Sequence, residues 1–379
     1  MNPTLLLALV IGFEVFAVGA MLLIQPFVMR RGLVFGVYVG EQAADGPGAR
    51  RIRRHWIAAM LGTMAAAILA GGLMLALRLG PPPLAPLVSA LMLVAGSYAI
   101  YLRAYFQARR LAVAGAPPAA APLIGEVRYS RVLPLTALAV ATAGGLVALG
   151  YASVNYQRLP DLVPTHFGPS GRPDAWSPRS LSSVMILPLM TLLMGIAMAV
   201  MSLLVTRAKR AIRYPDAGVS VDAQQRFRQV SANFLALIVI VMTVMLTLMS
   251  IYSIRTGLGL AGGMPGALMA IGALLVVVAL GGGLYIAIRY GQGGARLERR
   301  AASAPLTNGL ADNSRWVLGA FYVNRDDPSI LVEKRFGIGY TLNFGNPKAV
   351  ALLVLFLAIV AFVVVTGITM PQTGVNPSP

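Results

Sequence analysis

Long uninterrupted runs of apolar residues constrain the fold of this chain more than any other feature of its sequence. A helix needs about 20 such residues to cross a hydrocarbon core of ~30 Å. The backbone in lipid must be hydrogen-bonded within its own segment, and the runs lack the alternation of transmembrane strands, so each run is predicted to be a helix. Eight runs qualify: Leu5–Val28, Ile57–Leu79, Leu84–Leu102, Val132–Val154, Leu181–Val205, Ala232–Ile254, Pro265–Ile288 and Ala349–Thr369.

The composition supports an integral membrane protein. Only 12% of the residues are charged, whereas a soluble domain carries about 25%. Lys and Arg number 31 against 13 Asp and Glu, an excess that would otherwise indicate nucleic acid; in so apolar a chain we predict no direct nucleic-acid partner. The absence of cysteine excludes disulfides, thiolate metal sites and Fe–S clusters. We predict no cofactor and no metal.

The basic residues also predict an orientation. Of the 31 Lys and Arg residues, 26 fall in the first, third, fifth and seventh connections. The positive-inside rule places those connections in the cytoplasm, where they contact anionic lipid headgroups, and places both termini outside. The predicted fold is therefore an all-α integral membrane protein with eight transmembrane helices, N-out and C-out, with a small β-rich cytoplasmic insert before the last helix.

The chain divides by connection length into five segments. Residues 1–154 form a first four-helix membrane unit with the cytoplasmic loop 29–56, and residues 155–180 form a structured extracytoplasmic loop. Helices five to seven occupy 181–288, a basic cytoplasmic module occupies 289–348, and the last helix with an outward tail occupies 349–379.

The 155–180 loop is rich in residues that specify turns. It holds five prolines and two glycines within about twenty residues, and Pro fixes φ whereas Gly permits positive φ. Thr165–Phe167 is predicted to be extended, Gly168–Gly171 to reverse the chain, and Ser177 with Pro178 to begin the fifth helix.

The same loop carries a histidine between two acids. His166 with Asp161 and Asp174 could titrate near neutral pH, hold a metal or act as a general base. Their spacing matches no established metal signature. The favoured interpretation is that these side chains satisfy backbone groups, with Phe167 and Trp176 at the membrane interface.

The loop resembles the signature of a bacterial membrane domain of unassigned function that is shared with the SdpI-type immunity family. The resemblance lies in Leu159, Pro160, Asp161, Pro164, Thr165, His166, Phe167, Gly171, Pro173, Asp174 and Trp176. The chain departs from that signature at Gly168, where Asn is usual, and at Arg179, where Lys is common. The resemblance implies location in the bacterial inner membrane and defence against a membrane-active peptide toxin, with a cytoplasmic transcriptional repressor as a second partner. In that role the loop residues contact the toxin.

Two cytoplasmic segments resemble other parts of such proteins. Val34–Val39 is similar to a Phe-Gly-Val segment, and residues 316–343 resemble a small module often joined to the domain. The residues that carry the second resemblance include Trp316, Gly319, Tyr322, Asn324, Asp327, Gly337, Gly339 and Asn343. Strand-like residues at 320–323 and 340–344 flank a turn at 324–328, which we favour over a cation site at Asp326 and Asp327. Lys334 and Arg335 are predicted to contact lipid headgroups.

Glu14 is the one ionisable residue well inside a predicted span. A charge near the bilayer centre costs ~2.5–3.5 kcal/mol, so the carboxyl should face the bundle, protonated or paired with hydroxyls. A proton or cation relay and a structural hydrogen bond are equally compatible with the sequence.

Three functions follow in order of preference. The leading hypothesis is SdpI-like immunity or signalling, which is not enzymatic. The alternative is a transporter or permease with a relay at Glu14 and helices broken by Pro188 or by Gly281–Gly283. A membrane hydrolase using His166 is the weakest, because no nucleophile elbow or zincin helix is present.

Overall fold

The structure is a computed structural model that describes residues 3–82, 84–113, 129–168, 170–209, 217–298 and 312–369. Among these residues, eight helices are long and apolar enough to cross a membrane, which confirms the eight predicted helices. They are α1 (Pro3–Ile24), α3 (Pro47–Ala76), α4 (Leu84–Arg109), α5 (Val132–Asn155), α6 (Leu181–Val205), α7 (Ala217–Gly257), α8 (Gly266–Tyr290) and α10 (Pro347–Thr369). Two short helices, α2 (Glu41–Ala44) and α9 (Ala295–Glu298), complete the set in the described chain.

Two helices begin well before their apolar runs. Helix α3 starts at Pro47, ten residues before the predicted Ile57, and α7 starts at Ala217 in place of Ala232. Pro47 occupies the first position of α3, which suits a helix start. The Arg, Gln and Ala residues in the polar first parts of α3 and α7 are good helix formers. Hydropathy therefore predicts only the apolar part of a helix. The polar residues before it extend the helix because their own helix propensity is high.

The described strands form four antiparallel pairs. They are β1 (Leu33–Val34) with β2 (Val37–Tyr38), β3 (Leu162–Phe167) with β4 (Pro173–Pro178), β5 (Trp316–Val317) with β6 (Phe321–Tyr322), and β7 (Leu331–Glu333) with β8 (Tyr340–Leu342). The predicted β-rich insert before the last helix is present. The all-α description of the rest is incomplete, because the 29–56 and 155–180 connections each hold a hairpin as well.

By their internal contacts the residues group into two compact units. The first unit comprises 1–126, 208–227 and 284–346, and the second comprises 127–207, 228–283 and 347–379. The domain boundaries inferred from connection length stay a prediction.

An aromatic cluster forms the core of the first unit. The Phe336 ring lies 4.5 Å from that of Tyr101, 5.4 Å from Phe35 and 5.7 Å from Trp56, centroid to centroid. Phe35 and Trp56 are almost completely buried. Residues from α3, α4, the β1–β2 turn and the C-terminal module therefore share one core.

Small residues bring the helices of the second unit together. Ala137, Ala141 and Ala199 are fully buried on α5 and α6, and a Cβ on Gly145 would lie 2.6 Å from the backbone of Leu192. Close backbone approach at small residues is the usual basis of helix packing in membranes.

Candidate functional site

The predicted extended piece and reversal in the 155–180 loop are confirmed as the β3–β4 hairpin. The register pairs Leu162 with Pro178 and Phe167 with Pro173. The register shifts on either side of His166. As a result, Thr165 on β3 and Asp174 on β4 are bulge residues with no residue paired to them on the opposite strand. Such bulges bend a strand and redirect side chains.

The base of the β3–β4 hairpin is tied to the ends of the neighbouring helices. Nη1 of Arg179 donates to the carbonyl of Leu159 at 2.9 Å and to that of Gln157 at 3.2 Å. Helix α6 starts with a capping box between Ser180 and Ser183. The prediction that Ser177 caps α6 is wrong, because Ser177 is buried in β4 and pairs with Val163.

The tip of the hairpin is anchored as well. Gly171 has a φ of +78° and its carbonyl accepts a hydrogen bond of 2.8 Å from the amide of Met264. A Cβ at Gly171 would lie 2.4 Å from the carbonyl oxygen of Met264. Only glycine satisfies both the backbone angle and the space, so the hairpin is held at both ends.

His166 and Asp174 form the exposed polar pair of the hairpin. Nδ1 of His166 lies 2.5 Å from Oδ1 of Asp174, and the two side chains are 66% and 51% exposed. The expected third member, Asp161, points into solvent with a fully exposed side chain and lies 3.7 Å from Arg179 instead. In the described chain no group of three or more His, Cys, Asp or Glu residues could hold a metal.

A cavity of about 220 Å³ lies beneath the hairpin within the second unit. Its walls come from β3, α6, α7 and α10 and combine apolar side chains with hydroxyl groups. The hydroxyl-bearing lining residues are Thr165, Ser183, Ser250 and Ser253. Pro188, buried inside α6, also lines the cavity. Proline has no amide hydrogen to donate to the carbonyl four residues earlier, yet α6 continues unbroken from Leu181 to Val205.

The remaining predicted loop residues divide between this cavity and the surface. Pro164 is buried, lines the cavity, and its carbonyl accepts a hydrogen bond from the Ser253 hydroxyl at 3.1 Å. Pro160 is exposed, and Phe167 and Trp176 are half-buried. The structure thus brings Pro164, His166 and Asp174 onto one hairpin and leaves Asp161 apart.

Glu14 lies on α1 beside the fully buried Val15 and is itself half-buried. Its Oε1 atom is inaccessible to solvent and has no hydrogen-bond partner among the described residues. Of the two predicted states, protonated or paired with hydroxyls, the described residues provide no hydroxyl partner for this atom.

The predicted residues of the C-terminal module act together as a scaffold. Asn343 is fully buried; its amide donates to the carbonyls of Asn324 and Asp327 at 2.8 and 2.9 Å and closes the predicted turn. Gly337 and Gly339 both have positive φ. Gly339 exchanges two hydrogen bonds of 2.8 Å with the fully buried side chain of Gln292.

Asp327 forms an ion pair with Lys209. Nζ of Lys209 lies 2.6 Å from its Oδ2 atom, and the Tyr322 hydroxyl donates to the same oxygen at 2.9 Å. Burial raises the pKa of Asp327, but hydrogen bonds from Lys209 and Ser329 outweigh it and the net pKa is lowered. For Lys209 burial lowers the pKa, yet the bond to Asp327 leaves it raised. Both groups are therefore charged at neutral pH.

The predicted contact of Arg335 with lipid headgroups is wrong. Its side chain is fully buried and does not reach lipid headgroups. The guanidinium lies 5.0 Å from the Trp316 ring and donates to Asn313 Oδ1 at 2.7 Å and to the Asp312 carbonyl at 2.9 Å. Burial lowers its pKa to about 9, so it remains charged at neutral pH.

Arg30 is a second buried arginine, with no local sequence signal of its burial. Arg30 and Glu333 form a bidentate pair at 2.6 and 3.1 Å, with side chains 1% and 5% exposed. The partners are 303 residues apart, so no local pattern could have connected them. Gly36 and Gly319 also meet across the two turns of β1–β2 and β5–β6, where a Cβ on Gly36 would lie 2.4 Å from the Gly319 carbonyl oxygen.

Two family models match the chain in these regions. One is described as a domain of unknown function (DUF1648) and matches residues 144–192, which contain the β3–β4 hairpin. The other family model is described as a family of unknown function (DUF5808) and matches residues 325–350, which contain Asp327, Glu333 and Asn343. With its eight apolar helices, the chain is a multi-pass membrane protein. No curated protein and no solved structure matches the chain.

Proposed function

We propose that this protein is a sensor or immunity protein of the bacterial inner membrane that recognises a membrane-active peptide through the β3–β4 hairpin. The observation that carries the proposal is the hairpin, anchored at its base and its tip, placed over a cavity of about 220 Å³ with apolar and hydroxyl walls. A preformed, largely apolar site with a few polar groups is typical of ligand binding. The SdpI-type resemblance of the same loop supplies the class of ligand.

The proposal requires the hairpin to face outward and the module to face the cytoplasm. The distribution of Lys and Arg supports this orientation. Because the chain has no cysteine, single cysteines at Asp161 and Asp326 give a clean test with a membrane-impermeant maleimide in intact cells. Labelling of Asp161→Cys alone is expected; labelling of Asp326→Cys alone contradicts the orientation.

Peptide recognition is tested by sensitivity. Cells without the gene should become sensitive to at least one peptide of a panel of membrane-active toxins, and expression of the protein should restore resistance. Asp174→Asn removes the carboxylate of the exposed His166 pair and should weaken protection. Asp326→Asn, the same change at an exposed site on the module, is the matched control. Unchanged sensitivity of the deletion strain across the panel would reject the proposal.

A regulator at the module is the second part of the proposal. The module is a compact scaffold whose exposed residues include Val317 and Phe321, and exposed apolar groups on a small sheet are suited to protein docking. Co-purification of a repressor that is lost with Phe321→Ser, while thermal stability in detergent is kept, would support this role. Equal recovery with the variant would contradict it.

A transporter is the competing function, and the buried Oε1 atom of Glu14 favours it. An ionisable group well inside a membrane-spanning helix marks an ion or proton pathway in many transporters. Proteoliposomes should then show a proton or cation flux that Glu14→Gln abolishes. If Glu14→Gln changes neither folding nor flux, the relay is excluded.

A further inference from the structure

A larger cavity, of about 520 Å³, lies in the first unit and takes no part in peptide recognition as proposed above. Its walls come from the β1–β2 turn, the last turn of α4, the β5 strand and the buried arginine of the module. The lining residues that matter chemically are Tyr105, Arg109, Ser314, Trp316 and Arg335. The volume is within the range of small-molecule sites.

The described lining residues include two cations and no acid. Arg335 is completely buried and carries a charge at neutral pH. Arg109 is exposed at the end of α4, and its guanidinium has no hydrogen-bond or salt-bridge partner among the described residues. Asp312, next to the lining residue Asn313, accepts a hydrogen bond of 2.9 Å from the Ser314 amide, and its carboxylate lies 3.8 Å from Nε of Arg315, which offsets its charge. The cavity therefore has an electropositive wall with one uncommitted guanidinium.

Trp316 provides a second, independent indication of a ligand. It lines the cavity and is 7% exposed, yet its indole Nε1 has no acceptor among the described residues. A buried donor without an acceptor costs ~1–3 kcal/mol. Native proteins rarely leave such a group unsatisfied. Because Nε1 is shielded from solvent, a ligand with acceptor oxygens would satisfy it only with a change in the position of the ring.

We propose that this cavity binds a phosphate-bearing group between Arg109 and the Arg335–Trp316 wall. The planar guanidinium fork matches phosphate oxygens and forms strong, charge-assisted hydrogen bonds. Arg109 lies in the last turn of a membrane-spanning helix, at the level where phospholipid phosphates lie. The phosphate therefore comes from an anionic phospholipid or from a soluble phosphate ester.

The test uses the full-length protein in detergent. Native mass spectrometry counts bound phosphatidylglycerol or phosphatidylcholine, and intrinsic fluorescence of the three tryptophans follows titration with glycerol 3-phosphate. Arg109→Gln should weaken phosphate binding about tenfold, the loss expected for one charge-assisted bond. Arg110→Gln is the matched control, because this exposed neighbour carries the same charge but does not line the cavity.

The lipid measurement and the glycerol 3-phosphate titration together distinguish an anionic phospholipid from a soluble phosphate ester. Binding of phosphatidylglycerol without glycerol 3-phosphate indicates a lipid site, and saturable binding of glycerol 3-phosphate indicates a soluble ligand. Equal loss with Arg109→Gln and Arg110→Gln would mean general electrostatics and would overturn the proposal, as would the absence of phosphate binding.

Occlusion of the cavity provides a second test that leaves both arginines in place. Ala112 is exposed and lines the cavity, whereas the neighbouring Val113 is exposed and does not. Ala112→Trp should abolish binding and Val113→Trp should preserve it. Equal binding by the two variants would place the phosphate elsewhere and reject the site.

Discussion

Replacing Glu333 with Gln should destabilise the first unit by about 3–5 kcal/mol. The pair with Arg30 is bidentate, and both side chains are at least 95% buried, so water neither screens the attraction nor solvates a charge that loses its partner. Removing one member of such a buried pair costs about 3–5 kcal/mol, mostly because the other charge is left uncompensated. The Gly293 carbonyl, 3.0 Å from Nη2 of Arg30, can offset only a small part of that loss.

The assay is unfolding by sodium dodecyl sulfate in dodecyl maltoside micelles, followed by tryptophan fluorescence. Asp174→Asn is the control, because the His166–Asp174 pair is more than half exposed and such pairs contribute at most about 1 kcal/mol. The double variant Arg30→Met with Glu333→Leu should recover part of the stability, since two apolar groups replace two charges. A loss below about 1 kcal/mol for Glu333→Gln would refute the reasoning.

Three further predictions concern the glycine turns and the second ion pair. Gly36→Ala should lower the unfolding free energy by at least about 1–2 kcal/mol in the same assay, because Gly36 has a φ of +81° and its Cβ would meet the Gly319 carbonyl; an unchanged transition would contradict this close approach. Gly171→Ala should release the hairpin tip from Met264 for the same two reasons and raise its rate of proteolysis, whereas Gly259→Ala, also at positive φ but with open space around it, should not. The Lys209–Asp327 pair should stabilise the module over a broad pH window. Because the pKa of Asp327 is lowered in the folded protein, its contribution to stability is lost as the pH falls through that pKa, below about 3.9. Because the pKa of Lys209 is raised, its contribution is lost only as the pH rises above about 10.4. Lys209→Met should abolish the alkaline limb of a thermal-stability profile, and a limb that persists would assign it to another group.

The helices were predictable because the signal for them is local. A run of about 20 apolar residues specifies a spanning helix wherever it occurs, and all eight are present in the described chain. The β3–β4 hairpin was predictable for the same reason, since glycine and proline set turns by their own backbone preferences. The N-cap was misplaced by three residues because Ser177 and Ser180 are equally good caps by residue type, and only the strand pairing of Ser177 decides between them.

The burial of charges depended on tertiary structure. Arg30, Glu333 and Arg335 carry no local sign of burial, and the basic content of their connections favours an exposed rim. The structure buries all three, because segments some 300 residues apart in sequence close around them and supply carboxylate, carbonyl and aromatic partners.

The sequence by itself determined the class of protein, its eight helices and the position of one hairpin, because lipid and turn chemistry act on consecutive residues. Only the tertiary structure decided which polar side chains meet, which arginines are buried, and where cavities of about 220 and 520 Å³ remain. Those properties depend on distances between segments that are remote along the chain, and a single sequence carries no measure of such distances.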